Sequence, residues 1–430
     1  MMKAKVITLG CKVNQYESEA MLSSLLQHGF AAAEDKETAD VVILNSCTVT
    51  AESDRKVRQI FRRAKKDNPD AVMVLTGCMA QAFPEDARRL EEADIILGTS
   101  NRKRLVPDLL VFLSARQRII DIAPHTNDEK FENLNVENFT GRTRAFVKIE
   151  DGCNRFCSYC IIPYARGRVR SKPLEDLKAE LAGLGANGYK EVVLTGINLS
   201  AYGQEFGLHL CDAIEAACAT PGIERVRLGS LEPEQLSEDV IRRMAKQKKL
   251  CPQFHLSLQS GCDATLKRMN RHYTADEYRT IVRNLRAAFE NAAITTDIMV
   301  GFAGETDEEF AESLAFAEEI AFAKVHVFAY SRRPGTRAYD MGDQLTNAVK
   351  EARSHEMIRV TTATQQAFFK AQIGRTEEVL FEREIQKGVW EGYSMNYTPV
   401  AVASGTSLAG EIRSVRIESC TDTHCMGAVL

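Results

Sequence analysis

The 430-residue sequence has no long apolar run, no strong net charge and no leader-like beginning. Runs of about 18 apolar residues are missing, so we expect neither a membrane-spanning helix nor a membrane partner. The opening MMKAKVITLGCKVNQ lacks the apolar stretch of a signal peptide, which predicts a cytoplasmic protein. With a net charge of −4 there is no overall positive field, so nucleic acid has to be held by local basic patches and no DNA partner is expected.

Histidine offers no metal-site or catalytic spacing, whereas cysteine is abundant. Of the eight histidines, His255 and His326 fall within predicted strands and are expected to be packed or hydrogen-bonded there. Twelve cysteines are many for a chain expected in a reducing compartment, where disulfides are rare. Cysteines that cluster in such a protein are more often metal ligands or catalytic groups.

Residues 1–122 alternate short apolar runs with helical patterns. The apolar runs are typical of buried parallel strands, namely KVITL, DVVIL, AVMVL and ADIIL. Helical periodicity lies between them in ESEAMLSSLLQHGF and DRKVRQIFRRAKKD. This order predicts an α/β domain with a doubly wound parallel sheet, followed by a polar linker over residues 123–141.

Residues 142–373 repeat a strand-then-helix rhythm six times. The predicted strands are AFVKIED, EVVLTGI, RVRLGSL, QFHLSLQ, ITTDIMVGF and KVHVFAY. Six parallel units predict an open, partial (β/α)6 barrel, smaller than the eight-unit form. Residues 374–430 change to short strands between glycines, which predicts a small antiparallel β-barrel.

Three cysteines, Cys153, Cys157 and Cys160, follow the first strand of the predicted partial barrel with the spacing C-x3-C-x2-C. Loops after the strands form the functional face of such barrels. Three thiolates can hold an iron–sulfur cubane and leave one iron open, whereas structural zinc takes four closed ligands. The spacing therefore predicts a cluster, with a zinc knuckle that has a distant fourth ligand, or buried thiols, as alternatives.

A second set, Cys11, Cys47 and Cys78, follows three predicted strands of the first domain, in LGC, NSC and TGC. Carboxyl ends of parallel strands meet at one sheet edge, where ligands bind. We therefore predict a second cluster there, although buried free thiols are the alternative. The remaining cysteines have irregular spacing and are expected to be structural: Cys211, Cys218, Cys251, Cys262, Cys420 and Cys425.

The DGCNRFCSYC loop resembles the signature of the radical S-adenosylmethionine superfamily. The resemblance implies a catalytic [4Fe–4S] cluster on Cys153, Cys157 and Cys160, whose open iron chelates S-adenosylmethionine and cleaves it to a 5′-deoxyadenosyl radical. It further implies cofactor contacts at the ends of the second and fourth strands, from Thr195, Gly196, Asn198, Ser257, Gln259 and Ser260. Loop capping is the alternative role for these polar residues.

Both cysteine sets and the terminal module together resemble the methylthiotransferases over nearly the whole chain. The extended loop CNRFCSYCIIPYARGRVRS matches that family, and GYSMNYTPV resembles its RNA-binding TRAM domain. The resemblance implies two [4Fe–4S] clusters, an auxiliary one that carries or donates sulfur, and two uses of S-adenosylmethionine, one to methylate the sulfur and one to supply the radical. It also implies tRNA and a flavodoxin- or ferredoxin-like electron donor as partners.

Residues 9–19, LGCKVNQYESE, look most like the branch of the family that acts on N6-threonylcarbamoyladenosine in tRNA. That base lies at position 37, next to the anticodon, and the implied product is its 2-methylthio derivative. The alternatives are isopentenyladenosine in tRNA, an aspartate of a ribosomal protein, and a non-catalytic iron–sulfur or zinc protein that binds RNA.

Two basic segments favour RNA. Residues 55–66 carry seven basic and no acidic side chains, and residues 142–172 carry eight basic and two acidic ones. Both flank predicted cluster cysteines and suit phosphate contacts. The terminal module is acidic instead, so we expect it to position substrate through a few residues such as Tyr393, Asn396 and Tyr397.

Overall fold

The computed structural model describes residues 1–34, 37–134, 136, 139 and 142–430, so part of the predicted linker lies outside it. Over those residues, no helix is long and apolar enough to cross a membrane. The chain forms two parallel α/β units and a closed β-barrel, as the sequence predicts.

The first unit is a six-stranded parallel sheet in the order β2-β1-β3-β4-β5-β6. Its strands are β1 (Lys3–Thr8), β2 (Ala31–Ala32), β3 (Val41–Ser46), β4 (Val72–Gly77), β5 (Ile95–Leu97) and β6 (Ile119–Asp121). Its helices are α1 (Lys12–Gln27), α2 (Ala51–Asp67), α3 (Cys78–Ala82), α4 (Pro84–Arg88) and α5 (Leu105–Ala115). Separate apolar clusters cover the two faces of the sheet, which confirms the doubly wound arrangement.

Helix α2 shows why the basic segment folds as a helix. The Thr50 hydroxyl accepts a hydrogen bond from the backbone N–H of Ser53 at 3.1 Å and so caps the first turn. Val57, Phe61 and Ala64 are buried against the sheet, which leaves the arginines and lysines on the outer side. The predicted basic face therefore exists, although Arg55 is paired with Glu52 on the same helix.

The second unit is the partial barrel, with parallel strands in the spatial order β7-β10-β11, continued by β12-β13-β14-β15. The strands are β7 (Arg144–Lys148), β8 (Glu150–Asp151), β9 (Arg170–Ser171), β10 (Glu191–Thr195), β11 (Arg225–Leu228), β12 (Ser230–Leu231), β13 (Gln253–Leu256), β14 (Ala293–Val300) and β15 (Lys324–Ala329). Gly229 divides the third predicted strand into β11 and β12. Helices lie between the strands: α6 (Ile162–Arg166), α7 (Leu174–Ala186), α8 (Leu210–Ala219), α9 (Glu238–Ala245), α10 (Asp263–Arg268), α11 (Ala275–Ala288) and α12 (Asp307–Ile320).

A 24-residue helix, α13 (Asn347–Lys370), leads from the partial barrel to the terminal module. The module is a closed barrel in the order β16-β17-β18-β20-β19. Its strands are β16 (Thr376–Gln386), β17 (Val389–Ser394), β18 (Pro399–Ala403), β19 (Ile412–Cys420) and β20 (Cys425–Val429). The small terminal barrel is confirmed, but β18 and β20 pair in parallel, where the sequence predicts antiparallel strands. We propose that the protein has three domains, residues 1–122, 142–373 and 374–430, with residues 123–141 as the linker between the first two.

The terminal barrel packs against the partial barrel through stacked aromatic rings and guanidinium groups. The rings of Tyr393 and Tyr397 stack with centroids 4.6 Å apart. Arg144 lies 5.1 Å from both ring centroids, and Arg227 lies 4.6 Å from that of Tyr397. Asn396 is only 2% exposed and donates to the carbonyl of Asn291 at 3.2 Å. These residues therefore hold the two units together, and Asn396 is closed off from a macromolecule in solvent.

Candidate functional site

Cys11, Cys47 and Cys78 lie where their three strands end, at one edge of the first sheet. Gly10 packs against Cys47. A Cβ at this glycine would lie 2.9 Å from the Cβ and 3.2 Å from the Sγ of Cys47. Gly77 has φ +96°, and a Cβ there would lie 2.5 Å from the carbonyl oxygen of Ser46. Glycine beside a cysteine thus lets these strand-end loops approach one another closely.

Cys153, Cys157 and Cys160 lie on a loop between β8 and α6 that the backbone holds in place. The N–H of Cys153 donates to the carbonyl of Gly167 at 3.0 Å, and the N–H of Cys160 donates to that of Cys157 at 3.0 Å. Gly152 has φ +86°, and a Cβ there would lie 1.9 Å from the carbonyl oxygen of Arg168. This glycine therefore cannot carry a side chain without moving the loop.

Residues around Met269 support the same loop from the other side. The Asn270 side chain donates to the carbonyl of Phe156, whose φ is +48°, at 3.1 Å. The N–H of Ser158 donates to the carbonyl of Met269 at 2.9 Å. Arg271 donates from Nη1 to the Sγ of Cys157 at 3.3 Å and so places a positive charge beside that sulfur. Hydrogen bonds from both sides therefore define the geometry of this loop.

Burial disfavours ionisation of Cys78 in the first cysteine set and of Cys153 and Cys160 in the second. It raises the pKa of Cys160 and of Cys78 to about 12, and the pKa of Cys153 even further. Fe–S clusters bind thiolates, so the protons have to leave as the metal binds. These thiols are consequently inert as free nucleophiles and fit metal ligands. In the described part of the chain, no three His, Cys, Asp or Glu residues are grouped to hold a single ion.

Arg166, on the helix directly after the Cys153 loop, connects the two cysteine sets. Its Nε donates to the Sγ of Cys78 at 3.2 Å, and its Nη2 donates to the side-chain oxygen of Asn14 at 2.5 Å. Asn14 in turn donates to the carbonyls of Leu9 and Ser46, at 2.8 Å and 3.0 Å. One guanidinium therefore links the loop of the second unit to the sheet edge of the first.

Arg166 also belongs to a buried ion network between the two units. Glu17 contacts Arg166 at 2.5 Å, Lys148 at 2.7 Å and Arg102 at 3.0 Å. Asp151 contacts Lys148 at 2.5 Å and Arg166 at 3.4 Å. Since all five side chains are buried, each charge depends on its partners rather than on water.

This network corrects the expected RNA-binding role of residues 142–172. Lys148, Arg166, Arg170 and Lys172 are all buried, and Lys172 is paired with Glu180. Half of the eight basic side chains therefore neutralise carboxylates inside the protein and cannot reach phosphate. A count of charges along the sequence shows neither which side chains are buried nor that Glu17, more than a hundred positions earlier, is a partner of Lys148 and Arg166.

We expect Arg166→Met to destabilise the protein by about 3–5 kcal/mol, because it leaves buried carboxylates short of a partner. Arg168→Met is the matched control, since Arg168 is exposed two residues later, and it should change stability by less than about 0.5 kcal/mol. Anaerobic urea titration measures both free energies of unfolding. Equal, small losses in the two variants would mean that the network adds little to stability.

The residues predicted to contact a cofactor at the second strand surround a buried carboxyl group. The Oε2 of Glu150 accepts from the N–H of Asn198 at 2.6 Å, and a Cβ on Gly196 would lie 2.6 Å from the same oxygen. The Oε1 of Glu150 and the Oδ1 of Asn198 are buried and have no donor among the described residues. Burial raises the pKa of Glu150 well above its usual range. Two oxygen atoms are thus left to accept from a ligand.

The three residues predicted to contact the cofactor after the fourth strand of the partial barrel differ in their exposure. Ser257 and Gln259 are partly exposed, and the carbonyl of Ser257 accepts from Arg271 at 3.0 Å. Ser260 is fully buried, and its hydroxyl accepts from the N–H of Cys262 at 3.2 Å, at the start of α10. Its hydroxyl therefore serves the capping role that the sequence left open.

A cavity of about 770 Å³ lies among the three units. Cys11, Thr195 and Gly196 line it, together with Tyr393 and Tyr397 of the terminal barrel. Its wall inside the partial barrel has a polar group of residues beside apolar ones such as Leu228 and Phe328. The polar residues are Gln253, His255, Thr295, Asp297 and His326.

The sequence predicts that His255 and His326 are packed or hydrogen-bonded within their strands. His255 bonds the hydroxyl of Thr295 at 3.1 Å and lies 3.5 Å from Asp297. Both histidines also line the cavity. The sequence signal for this position is the alternation along QFHLS, ITTDI and KVHVF, which places the polar residues on one face of their strands.

Two family models match the chain, in the units that carry the two cysteine sets. Residues 3–98 match "Uncharacterized protein family UPF0004", and residues 147–317 match the "Radical SAM superfamily".

Curated relatives match over nearly the full length. A threonylcarbamoyladenosine tRNA methylthiotransferase MtaB from Bacillus subtilis is 36% identical, covering 95% of this chain and 92% of that protein. The MtaB of Thermotoga maritima is 37% identical, with coverages of 98% and 96%. A tRNA-2-methylthio-N(6)-dimethylallyladenosine synthase from Pelotomaculum thermopropionicum is 35% identical, with coverages of 99% and 97%.

Solved structures share the fold at low sequence identity. The radical S-adenosylmethionine methyltransferase TsrM from Kitasatospora setae aligns with a TM-score of 0.57 at 15% identity, over 79% of this chain and 74% of its own. The cobalamin-dependent S-adenosylmethionine radical enzyme OxsB aligns with a TM-score of 0.51 at 9% identity, over 85% and 56%. These similarities confirm the predicted fold.

Proposed function

Since this chain belongs to the tRNA methylthiotransferase family of radical S-adenosylmethionine enzymes, we propose that it converts N6-threonylcarbamoyladenosine in tRNA to its 2-methylthio derivative. Relatives that carry this activity in their names match 89–99% of the chain. The observation that carries the proposal is the cavity between the units, which Cys11 and the strand end at Thr195 and Gly196 both line. Sulfur delivery and radical formation can meet there on one substrate.

In this proposal, Cys153, Cys157 and Cys160 hold the catalytic [4Fe–4S] cluster. Three thiols on a loop that backbone bonds and Asn270 hold in place suit a cubane with one open iron. Arg271 donates a hydrogen bond to the Cys157 sulfur, and its positive charge offsets part of the cost of burying a negatively charged cluster. When bound, the cluster supplies the electron that cleaves S-adenosylmethionine.

Cys11, Cys47 and Cys78 hold the second, auxiliary [4Fe–4S] cluster. Arg166 contacts Cys78 and comes from the helix after the catalytic loop, so it sets the position of one site relative to the other. Its charge lowers the pKa of Cys78 against the dominant effect of burial and so favours the ligating thiolate. The donor set of three strand-end thiols with close glycines fits a cluster.

S-adenosylmethionine contacts Thr195, Gly196, Asn198, Ser257 and Gln259, while Ser260 shapes their loop. The ammonium group of the cofactor suits the two buried oxygen atoms of Glu150 and Asn198 that have no donor in the described chain. A cation there would lower the pKa of Glu150, which burial alone raises. The reaction also needs a reduced flavodoxin- or ferredoxin-like donor, which fits a cytoplasmic location.

Mass spectrometry of tRNA nucleosides from a strain that lacks this gene tests the proposed function. We expect the 2-methylthio form of N6-threonylcarbamoyladenosine to disappear and its unmethylthiolated precursor to accumulate. The intact gene should restore the product, and a Cys153→Ala copy should not. An unchanged profile for this nucleoside, with loss of methylthio-isopentenyladenosine instead, would overturn the choice of substrate.

A further inference from the structure

The cavity between the units is lined by a lysine that has no hydrogen-bond or ion-pair partner among the residues that the structure describes. Lys12 begins α1, directly after Cys11, and is half-buried. Within the described chain, no hydrogen bond or ion pair reaches its ammonium group. Lys324 lines the same cavity but is exposed, so water solvates it. A cation shielded from water without a counter-ion costs stability, which points to a ligand that supplies the negative charge.

The neighbouring charges do not neutralise Lys12. Arg144, Arg227 and Glu191 act on it electrostatically. Arg227 contacts Glu191 at 2.8 Å, and Arg144 contacts Glu382 at 2.6 Å. Each arginine therefore has its own carboxylate, and Lys12 is left as the surplus cation at this part of the cavity.

The cavity wall around it suits a polar substituent. His255, Asp297 and His326 line it with ring nitrogens and a carboxylate, which can bond hydroxyl and amide groups. An apolar isopentenyl group offers no negative charge to Lys12 and no acceptor or donor to these polar groups, at a cost in binding free energy. The threonylcarbamoyl group carries a hydroxyl, amide N–H groups and a carboxylate.

We propose that Lys12 binds the carboxylate of the threonyl group on the substrate base and thereby selects it against uncharged N6 substituents. The proposal rests on the proposed function for the identity of that substituent. It makes Lys12 a specificity residue of this cavity. The other partner that its position allows is the cluster on Cys11, and the two roles predict different results.

The test compares two anticodon stem-loop RNAs that differ in one group. One carries N6-threonylcarbamoyladenosine, and the other carries the same base with the threonyl carboxylate replaced by a carboxamide. Dissociation constants are measured by fluorescence anisotropy on the anaerobic holoenzyme. Because charge-assisted hydrogen bonds are strong, we expect the acid to bind about 10-fold or more tightly than the amide.

Three variants assign that preference to a residue. The acid-to-amide ratio is the affinity for the acid RNA divided by the affinity for the amide RNA. Lys12→Met should reduce this ratio to about 1, and Lys12→Arg should keep most of it because the charge remains. Lys324→Met removes a charge from the exposed part of the cavity and should leave the ratio unchanged. Iron content and deoxyadenosine formation without RNA are measured on each variant as readouts of the clusters.

The outcomes separate this inference from the proposed function. A wild-type ratio near 1, loss of the ratio in Lys324→Met, or equal weakening of both RNAs with lower iron content in Lys12→Met would overturn the role of Lys12. A wild-type preference for the acid that Lys12→Met abolishes supports it. If that preference comes without any methylthio product, the proposed reaction fails while carboxylate recognition by Lys12 stands.

Discussion

Replacing Cys153 with alanine is expected to reduce the formation of 5′-deoxyadenosine to background. The thiol is one of three on a loop whose backbone is fixed, so the remaining two cannot shift to hold the cluster in its place. Iron content should fall by about four atoms per chain, the content of one cubane. Chromatography of the nucleoside products, with iron analysis of the same sample, measures both effects.

Cys218→Ala is the matched control for this change. Cys218 is also buried, but it packs in the core of the partial barrel on α8. It should keep its iron and its deoxyadenosine formation, apart from the small loss of stability that a core substitution brings. Deoxyadenosine that persists in Cys153→Ala at the control level would remove Cys153 from the catalytic cluster.

Replacing Cys47 with alanine should separate the two half-reactions. We expect the methylthio product to be lost while cleavage of S-adenosylmethionine continues, because Cys47 belongs to the sheet edge of the first unit and not to the catalytic loop. Iron should again fall by about four atoms per chain. Anaerobic turnover with the tRNA substrate, followed by mass spectrometry for both products, measures the separation.

Cys420→Ala serves as the control here, since Cys420 lies at the end of β19 in the terminal barrel. It should form both products at the wild-type ratio. Normal methylthio product in Cys47→Ala would exclude the first cysteine set from sulfur transfer. Loss of both products in Cys47→Ala, with iron lowered by about eight atoms, would mean that the two clusters assemble only together.

Much of the site could be predicted because parallel strands obey simple rules. Cys11, Cys47 and Cys78 are far apart in sequence, yet each ends a predicted strand, and the carboxyl ends of parallel strands meet. The Cys153 loop was recognisable from local spacing alone. The structure places both sets as predicted, and their role as cluster ligands stays a proposal.

What the sequence could not supply is the identity of distant partners. Lys148 and Arg166 look like RNA-binding residues in their segment, and their buried partner Glu17 lies more than a hundred positions earlier. Tyr393 and Tyr397 likewise line the cavity, but the sequence does not show that Arg144 and Arg227 of the partial barrel stack on them. The type of a side chain alone does not show whether it contacts another residue of the protein or a bound ligand.

Two elements of the terminal region also escaped prediction. Helix α13 has apolar residues but no clear amphipathic stripe, since its buried set includes Arg353, Thr361 and Thr364. Strand β20, with the sequence CMGAV, is short and glycine-containing, and it forms because β18 and β19 offer partners on both sides. Tertiary pairing decides the structure of both segments.

The buried ion network is extended by Arg170 and by the partly buried Glu129 and Glu132, and it limits how this protein can be divided. Residues before the partial barrel contribute three carboxylates and one guanidinium, from Glu17, Glu129, Glu132 and Arg102. The partial barrel contributes three cations and one carboxylate, from Lys148, Arg166, Arg170 and Asp151. Neither group of side chains is neutral alone. Cutting the chain between residues 141 and 142 would therefore leave unpaired negative charge in the first fragment and unpaired positive charge in the second. We therefore expect the first unit and the partial barrel to unfold together and not as independent domains.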